Sequence, residues 1–324
     1  LCALQFKLLW LNLLMSIQFK RLCADDIIEN IDYFKNCALH LSDYSAAFKI
    51  MWQDYFTEYF ALVHKCLVFM EYYQGRTYFY YPLSMGSAED EAAALDEIER
   101  YCRENNVRLH YTSVPSEKLC AMVKRYGAEL RMNNKRRWRD YLYYAQDFVT
   151  YGGKKFSGQR NHVNKFKKLY PQFEFCKLNG LNRDEILEFL KEFERRQLDK
   201  GTTIAREELQ SVFKLTDYID EFALKAGGIR VDGKLVSYSV GEVCGDQLII
   251  HVEKALTQYE GIYATTAHEF AKHYVTDAIA YINREDDSGD AGLRKSKLQY
   301  NPIELVDKYT LLPHRAIDGV SHLP

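Results

Sequence analysis

The order of elements in the first half of this 324-residue chain returns in the second half, and a repeat of that length confines the chain to two similar domains. Phe60–Tyr73 and Thr77–Leu83 are rich in aromatic and β-branched residues and flank Gln74-Gly75-Arg76, which predicts a hairpin. Ser87-Ala-Glu-Asp90 predicts a capped helix start, and the helix runs to about Asn105 with Leu95, Ile98 and Cys102 on one face. A strand over Val107–Tyr111, a helix over Ser116–Tyr126 stopped by Gly127, and a strand over Trp138–Tyr144 follow. The second half repeats this series. Leu235–Val243 and Gln247–Lys254 flank Gly245-Asp246 as a hairpin, then come a helix over Ile262–Val275, a strand over Ala278–Ile282, a helix over Gly289–Leu298 and a strand over Leu305–Leu312. The offset is about 170 residues each time. The side chains themselves hardly coincide, so the repeat is one of topology.

Other stretches complete the reading. Ile17–Lys20 alternates as a short strand, and Asp25–Leu39 is helical in pattern. Asp184–Leu198 and Arg206–Ala226 predict amphipathic helices, and Asp232-Gly233 predicts a hairpin joining a strand over Gly228–Val231 to Leu235–Val243. Tyr151-Gly152-Gly153 interrupts the pattern and sets a boundary near Gln146–Gly153. The expectation is an α/β protein of mixed (α+β) sheets, with one domain over residues 15–148 and another over 149–324. Residues 1–14 read as upstream or disordered sequence ahead of a start at Met15, because Leu8–Leu14 is too short and too interrupted by Lys7 and Asn12 for a spanning helix. The eight cysteines are too scattered for a disulfide framework or a zinc ribbon, and read as reduced thiols of a cytoplasmic protein.

Charge narrows the function classes. With 43 basic and 45 acidic side chains the chain is near neutrality, which argues against a histone-like, DNA-coating protein. The charge is uneven, however. Residues 134–168 carry ten basic against two acidic side chains, with Trp138, Tyr141, Phe156 and Phe166 among them. Such a stretch could steer tRNA, a phosphorylated cofactor or an anionic membrane surface. No nucleophile elbow, zinc-protease motif or P-loop is present, so covalent catalysis is not expected.

The order of elements resembles the GNAT acyltransferase fold used twice, and Val123-Lys-Arg-Tyr-Gly127 looks like the end of the penultimate GNAT helix. Three further stretches, Lys155–Lys168, Tyr281–Gly289 and Gly292–Lys297, resemble a more specific group. It is the bacterial tandem-GNAT proteins related to the C-terminal domain of phosphatidylglycerol lysyltransferase. The resemblance covers roughly Met15 to Leu312. It implies two tandem GNAT-like acyltransferase domains and a relation to enzymes that move an aminoacyl group from aminoacyl-tRNA. The donor it leaves open is acyl-CoA or aminoacyl-tRNA, and the acceptor a small molecule or a lipid.

The candidate residues cluster in the second half. Period-two alternation puts His251 and Glu253 on one face of a strand, where Glu253 would serve as general base for an attacking amine with His251 as its partner. Asn283 and Arg284 follow a strand at its C-terminal edge, where open α/β sheets form clefts, and would orient donor or acceptor. The acidic run Glu285-Asp286-Asp287 is not read as a metal site, since adjacent carboxylates on a turn point apart. Gln258 and Gly261 match part of the GNAT pyrophosphate signature Arg/Gln-x-x-Gly-x-Gly/Ala, but Tyr263 stands where a small residue belongs. Arg160, His162 and Lys165 would contact a phosphate-bearing donor, and Arg294 and Lys297 share a helical face toward a phosphate or carboxylate. Two readings stay open: a transferase working by direct attack, and a non-catalytic binding or regulatory protein on a degenerate GNAT scaffold.

Overall fold

The hairpins predicted at Gln74-Gly75-Arg76, Asp232-Gly233 and Gly245-Asp246 are all present, each within a mixed sheet. The protein is described by a computed structural model covering residues 17–197 and 203–313; the expected upstream segment 1–14 lies outside these residues. The described residues form two compact units, each assembled from separate stretches of chain.

The first unit holds β1 (Lys20–Arg21), β2 (Glu58–Val63), β3 (Cys66–Tyr73), β4 (Arg76–Tyr80), β5 (Leu83–Ser84), β6 (Tyr111–Pro115), β7 (Arg131–Asn133) and β16 (Lys308–Leu312). Their order is β1-β2-β3-β4-β6-β16-β7, with β5 beside β3. Only the β4–β6 neighbours run parallel among these strands, and helix α4 (Ala88–Glu104) connects them, as a parallel pair requires a crossover. The Ser87 cap is present: Ser87 Oγ accepts from Asp90 N and Asp90 returns the bond to Ser87 N. Leu95, Ile98 and Cys102 are buried on one face, as the periodicity requires. Helix α5 (Leu119–Tyr126) ends at Gly127, which has φ +82°.

The second unit repeats this plan. It holds β8 (Asp140–Tyr144), β9 (Glu174–Leu178), β10 (Lys225–Val231), β11 (Lys234–Leu235), β12 (Ser237–Cys244), β13 (Gln247–Ala255), β14 (Tyr281–Asn283) and β15 (Glu304–Val306). The order is β11-β10-β12-β13-β14-β8-β15, with β9 beside β10. The parallel pair is β13–β14, bridged by α10 (Ile262–Tyr274). Around the sheet lie α1 (Ala24–Glu29), α2 (Ile31–Lys35), α3 (Ala46–Trp52), α6 (Ala145–Thr150), α7 (Ser157–Leu169), α8 (Arg183–Gln197), α9 (Thr203–Thr216) and α11 (Ala291–Leu298). Tyr141, Tyr143, Phe148, Tyr151, Phe156, Phe270 and Tyr300 pack into one aromatic core.

Several elements differ from the sequence reading. Phe60–Tyr73 is two strands, β2 and β3, that turn at His64-Lys65. The strand expected over Val107–Tyr111 is β6, starting at Tyr111, and α1–α3, expected in the domain over 15–148, belong to the second unit. Trp138–Tyr144 reads as the end of the first half, yet β8 pairs with β14 and β15 of the second sheet. Leu305–Leu312 reads as a single closing strand. It breaks at Asp307, and its second piece, β16, pairs with β6 and β7 of the first sheet. The two halves thus exchange equivalent strands. The helix expected over Arg206–Ala226 ends at Thr216, because Lys225–Val231 pairs on both sides as β10. A Cβ on Gly228 would lie 2.0 Å from Ser237 O, so that strand depends on a missing side chain.

Candidate functional site

A β-bulge organises the site. From the Gly245-Asp246 turn the β12–β13 ladder pairs Cys244 with Gln247 and continues regularly to Gly241 and Ile250. It then jumps, pairing Val240 with Val252 and Ser239 with Glu253. His251 is the extra residue, and a bulged residue leaves the alternation of its strand. Ser239, Ile250 and Glu253 line a cavity beneath α10, together with Ile282 and Arg284 from β14 and the residue after it. His251, Glu242, Asn283 and Glu285 are bonded to one another or to the segment 40–47, away from that cavity.

On the cavity side, Arg284 Nη2 donates to Glu253 Oε1 at 2.7 Å, and both side chains are largely buried. The guanidinium carbon lies 4.6 Å from the Tyr300 ring centre and 5.8 Å from that of Phe148, both favourable cation–π distances. Glu253 holds Arg284 charged against the penalty of burial. Arg284 Nη1 makes no hydrogen bond among the described residues, and neither does Ser239 Oγ. The cavity walls are otherwise apolar: Phe148, Ile250, Ala267, Phe270, Ala271 and Ile282. The space has room for about one water-sized group.

On the other side, His251 is fully buried. Its Nδ1 lies 2.8 Å from Glu285 Oε1 and its Nε2 3.5 Å from Glu242 Oε2. Burial alone would lower its pKa, but the two carboxylates outweigh burial and lift it to about 9. Glu242 also accepts from the amides of Ala46 and Ala47 at the start of α3. The expected pairing of His251 with Glu253 is therefore absent: the bulge gives the ring to Glu285 and Glu242 instead. Asn283 is fully buried, with its amide donating to His40 O at 3.0 Å and Asp140 Oδ2 at 3.1 Å and its oxygen accepting from Glu285 N at 2.8 Å. Those bonds fix the strand end and leave Asn283 a supporting part.

The loop after β14 is tied down by residues expected to meet an anion. Arg294 grips Asp287 with two bonds of 2.9 Å, and Arg136 and Tyr141 bond the same carboxylate at 2.9 and 2.7 Å. Burial works against that charge, but the bonds hold Asp287 well below the usual carboxylate range. Lys297 Nζ donates to the carbonyl oxygens of Arg284, at 2.7 Å, and Asp286, and burial lowers its pKa. Glu285 and Asp287 thus face different partners, while Asp286 caps Ser288 N. Among the described residues no group of three or more His, Cys, Asp or Glu is placed to hold a metal ion.

The start of α10 differs from a phosphate cradle. Gly261 has φ +86°, and a Cβ there would fall 2.3 Å from His162 O of α7. The glycine serves close packing of α7 on α10, and Phe166 Cβ lies 3.2 Å from the same point. Tyr263 is pushed up to about 12, chiefly by burial. Gln258 is exposed in the preceding turn. Arg160 donates to the carbonyls of Tyr151 and Gly153, Lys165 pairs with Glu260 at 2.5 Å, and His162 is exposed. Much of the basic stretch is internally paired: Arg136 with Asp287, Arg139 with Asp307, Lys155 with Asp147, and Lys167 with Glu269. Sequence reasoning missed Ser239, Phe148 and Tyr300, whose proximity to Arg284 depends on tertiary packing.

Two mixed sheets, each with one helix-bridged parallel pair, define an α/β protein of two similar units, the arrangement that the resemblance to a twice-used GNAT fold implies. The chain belongs to the phosphatidylglycerol lysyltransferase C-terminal family, which matches residues 34–312. A conserved protein of unknown function from Bacteroides thetaiotaomicron is similar at a TM-score of 0.85, with 26% identity over 92% of this chain and 99% of that one. L-PGS from Bacillus licheniformis is similar at a TM-score of 0.63, with 14% identity over 90% of this chain and 93% of that one, a likeness of fold. An uncharacterized protein of Mycoplasmoides gallisepticum is 27% identical over 177 residues, 52% of this chain, and the match spans about half (54%) of that relative. No helix among the described residues is long and apolar enough to cross a membrane.

Proposed function

We propose that the chain is an acyl- or aminoacyl-transferase that moves an activated acyl group to an amine or hydroxyl by direct attack, with the second unit supplying the active face. The observation that carries this reading is the buried Arg284–Glu253 pair, whose Arg284 Nη1 lacks a partner at a narrow, apolar-walled cavity. In that setting a guanidinium favours an acyl carbonyl oxygen as it gains charge, and a carboxylate accepts the proton of the attacking group. Positioning and charge stabilisation suffice where no nucleophile is present.

The donor we infer is an aminoacyl ester of tRNA. Packing of α7 against Gly261 closes off the helix start on which a CoA pyrophosphate would rest, and this supports a donor that does not need it. Family membership supports a lipid hydroxyl as acceptor. The same closed helix start favours a second reading, a non-catalytic scaffold. The test uses the full chain with tRNA charged with labelled amino acids, or with labelled acetyl-CoA, and phosphatidylglycerol vesicles as acceptor, each compared with the same mixture lacking the protein. Label moving from tRNA to an acceptor supports the transferase. Transfer from acetyl-CoA alone would overturn the donor assignment, and no transfer from either donor would favour the scaffold.

A further inference from the structure

The cavity beneath α10 is lined by two unsatisfied buried groups, one from β12 and one from the residue after β14. Ser239 is directly opposite Glu253 across the ladder, so their side chains share a face. Ser239 is 1% exposed and its Oγ, like Arg284 Nη1, has no hydrogen-bond partner among the described residues. Buried polar atoms are nearly always satisfied, so two orphans lining one cavity call for a missing partner. Both are donors, and the space between the apolar walls suits one oxygen atom rather than a whole acyl group.

We propose that Ser239 and Arg284 together form an oxyanion site that takes the carbonyl oxygen of an acyl ester, an inference that rests on the transferase reading. The lone pair of the attacking amine or hydroxyl forms a bond to the carbonyl carbon, and the C=O π pair moves onto oxygen. Ser239 Oγ–H and Arg284 Nη1–H donate to that oxygen, and Glu253 takes the proton of the attacking group. When the C=O bond re-forms, the bond to the ester oxygen breaks, and the departing hydroxyl recovers the proton from Glu253. The one-residue bulge at His251 is what brings Ser239 opposite Glu253. A regular ladder counted from the Gly245-Asp246 turn would put Tyr238 there.

Ser239→Ala is the deciding variant. Because its hydroxyl bonds to nothing, removal should leave the melting temperature unchanged or slightly raised. The proposal expects kcat for transfer from charged tRNA to fall about 10- to 100-fold, with KM within about threefold. Unchanged kcat in an otherwise active enzyme overturns the oxyanion role and leaves the transferase reading intact. A binding measurement keeps the two separate. The Arg284 guanidinium 15N signals, assigned by their loss in Arg284→Lys, are followed during titration with sodium acetate or N-methylacetamide. A shift in the parent that weakens at least tenfold in Ser239→Ala supports the site even if no donor gives transfer. Absence of a shift in the parent, or equal binding in both proteins, overturns it and marks the cavity as a water site.

Discussion

In the first unit the strands β4 and β6 are bridged by α4, and the polar side chains between α4 and α5 satisfy one another, although His110 Nδ1 beside β6 is buried without a hydrogen-bond partner among the described residues. The Tyr111 hydroxyl lies 2.7 Å from that of Tyr126, Tyr126 donates to Glu99 at 2.8 Å, and Arg125 Nε closes on the same carboxylate at 2.7 Å. Glu91 is held likewise by Lys118 at 2.8 Å and by the Tyr81 hydroxyl at 2.6 Å. In the second unit, β13 and β14 are bridged by α10 in the same way, but Arg284 Nη1 and Ser239 Oγ face a cavity unpaired. Leaving a buried polar group unpaired costs about 1–3 kcal/mol. The same architecture therefore carries a paired network between α4 and α5 in one copy and, in the other, unpaired groups that line a cavity. An unpaired group at a cavity is what a ligand can complete, and this supports the proposal that the chemistry lies in the second copy.

The strongest way to break this contrast is to remove one cation from each network. Arg284→Met deletes the proposed carbonyl donor and strands Glu253. Transfer should fall about 10²- to 10³-fold, and denaturant unfolding should show a loss of about 3–5 kcal/mol. Arg125→Met in the first unit removes a partly exposed partner. It should cost about 1 kcal/mol and leave transfer at the parent level. Equal loss of transfer in the two variants would erase the distinction between the units.

The next effect is on pH. His251 has a pKa raised from 6.5 to about 9 by Glu242 and Glu285 despite burial, so its contribution is complete below about pH 6.5 and is lost as pH rises through about 9. The amount is on the order of 3 kcal/mol. His110 in the first unit behaves oppositely. Burial lowers its pKa, so it favours the folded state when neutral and disfavours it as pH falls below about 6.5. Unfolding free energies between pH 5.5 and 9.5 should show the alkaline decline shrinking in His251→Asn and the acid decline shrinking in His110→Asn. An alkaline decline of parental size in His251→Asn would mean that the buried carboxylates do not hold a charged ring.

Glycines at positive φ allow a finer comparison. Gly127→Ala places a Cβ in open space at φ +82° and ψ −176°, a backbone region essentially reserved for glycine, and only backbone strain applies, about 1–3 kcal/mol. Gly261→Ala adds a collision 2.3 Å from His162 O and should cost about 2–4 kcal/mol. Melting curves of the two variants measure the difference. Matching shifts would show that α7 yields readily and that the start of α10 can open.

Much of this plan is readable from local chemistry, because hairpin turns, caps and stops are local. Gly245-Asp246, Ser87 with Asp90, and Gly127 each act within four residues of themselves. Positions 253 and 284 stand out in the sequence for the same reason, since each lies at the end of a legible strand. The reading fails where distant chain decides. β8 and β16 have similar patterns and the same place in the repeat, and nothing local says which sheet each will join. The bulge is equally hidden: alternation alone places His251 beside Glu253, and only the register jump at Val240 turns it toward Glu242. Arg294 and Lys297 look like free cations in sequence, but in three dimensions they bind a carboxylate and two carbonyls of the loop that presents Arg284.

The smallest expected effect on the fold concerns the basic helix α7. Lys165 and Glu260 form an exposed pair, with side chains 53% and 56% accessible, and Lys168 is exposed on the same helix. Lys165→Glu with Lys168→Glu should change stability by less than about 1 kcal/mol. If this face meets a polyanionic donor, binding of unfractionated tRNA should weaken. The dependence of log affinity on log salt should also become shallower by about two units, one for each phosphate that is no longer neutralised. The comparison with the first unit supplies the control. Lys124→Glu with Arg131→Glu reverses two exposed cations there and makes the same change in net charge. A selective loss in the α7 variant would place the donor on the second unit by a measurement independent of the cavity. Equal weakening in both variants would reduce the effect to overall charge. The remaining cations of the basic stretch would then keep the internal roles already seen, as partners of Asp287, Asp307, Asp147 and Glu269.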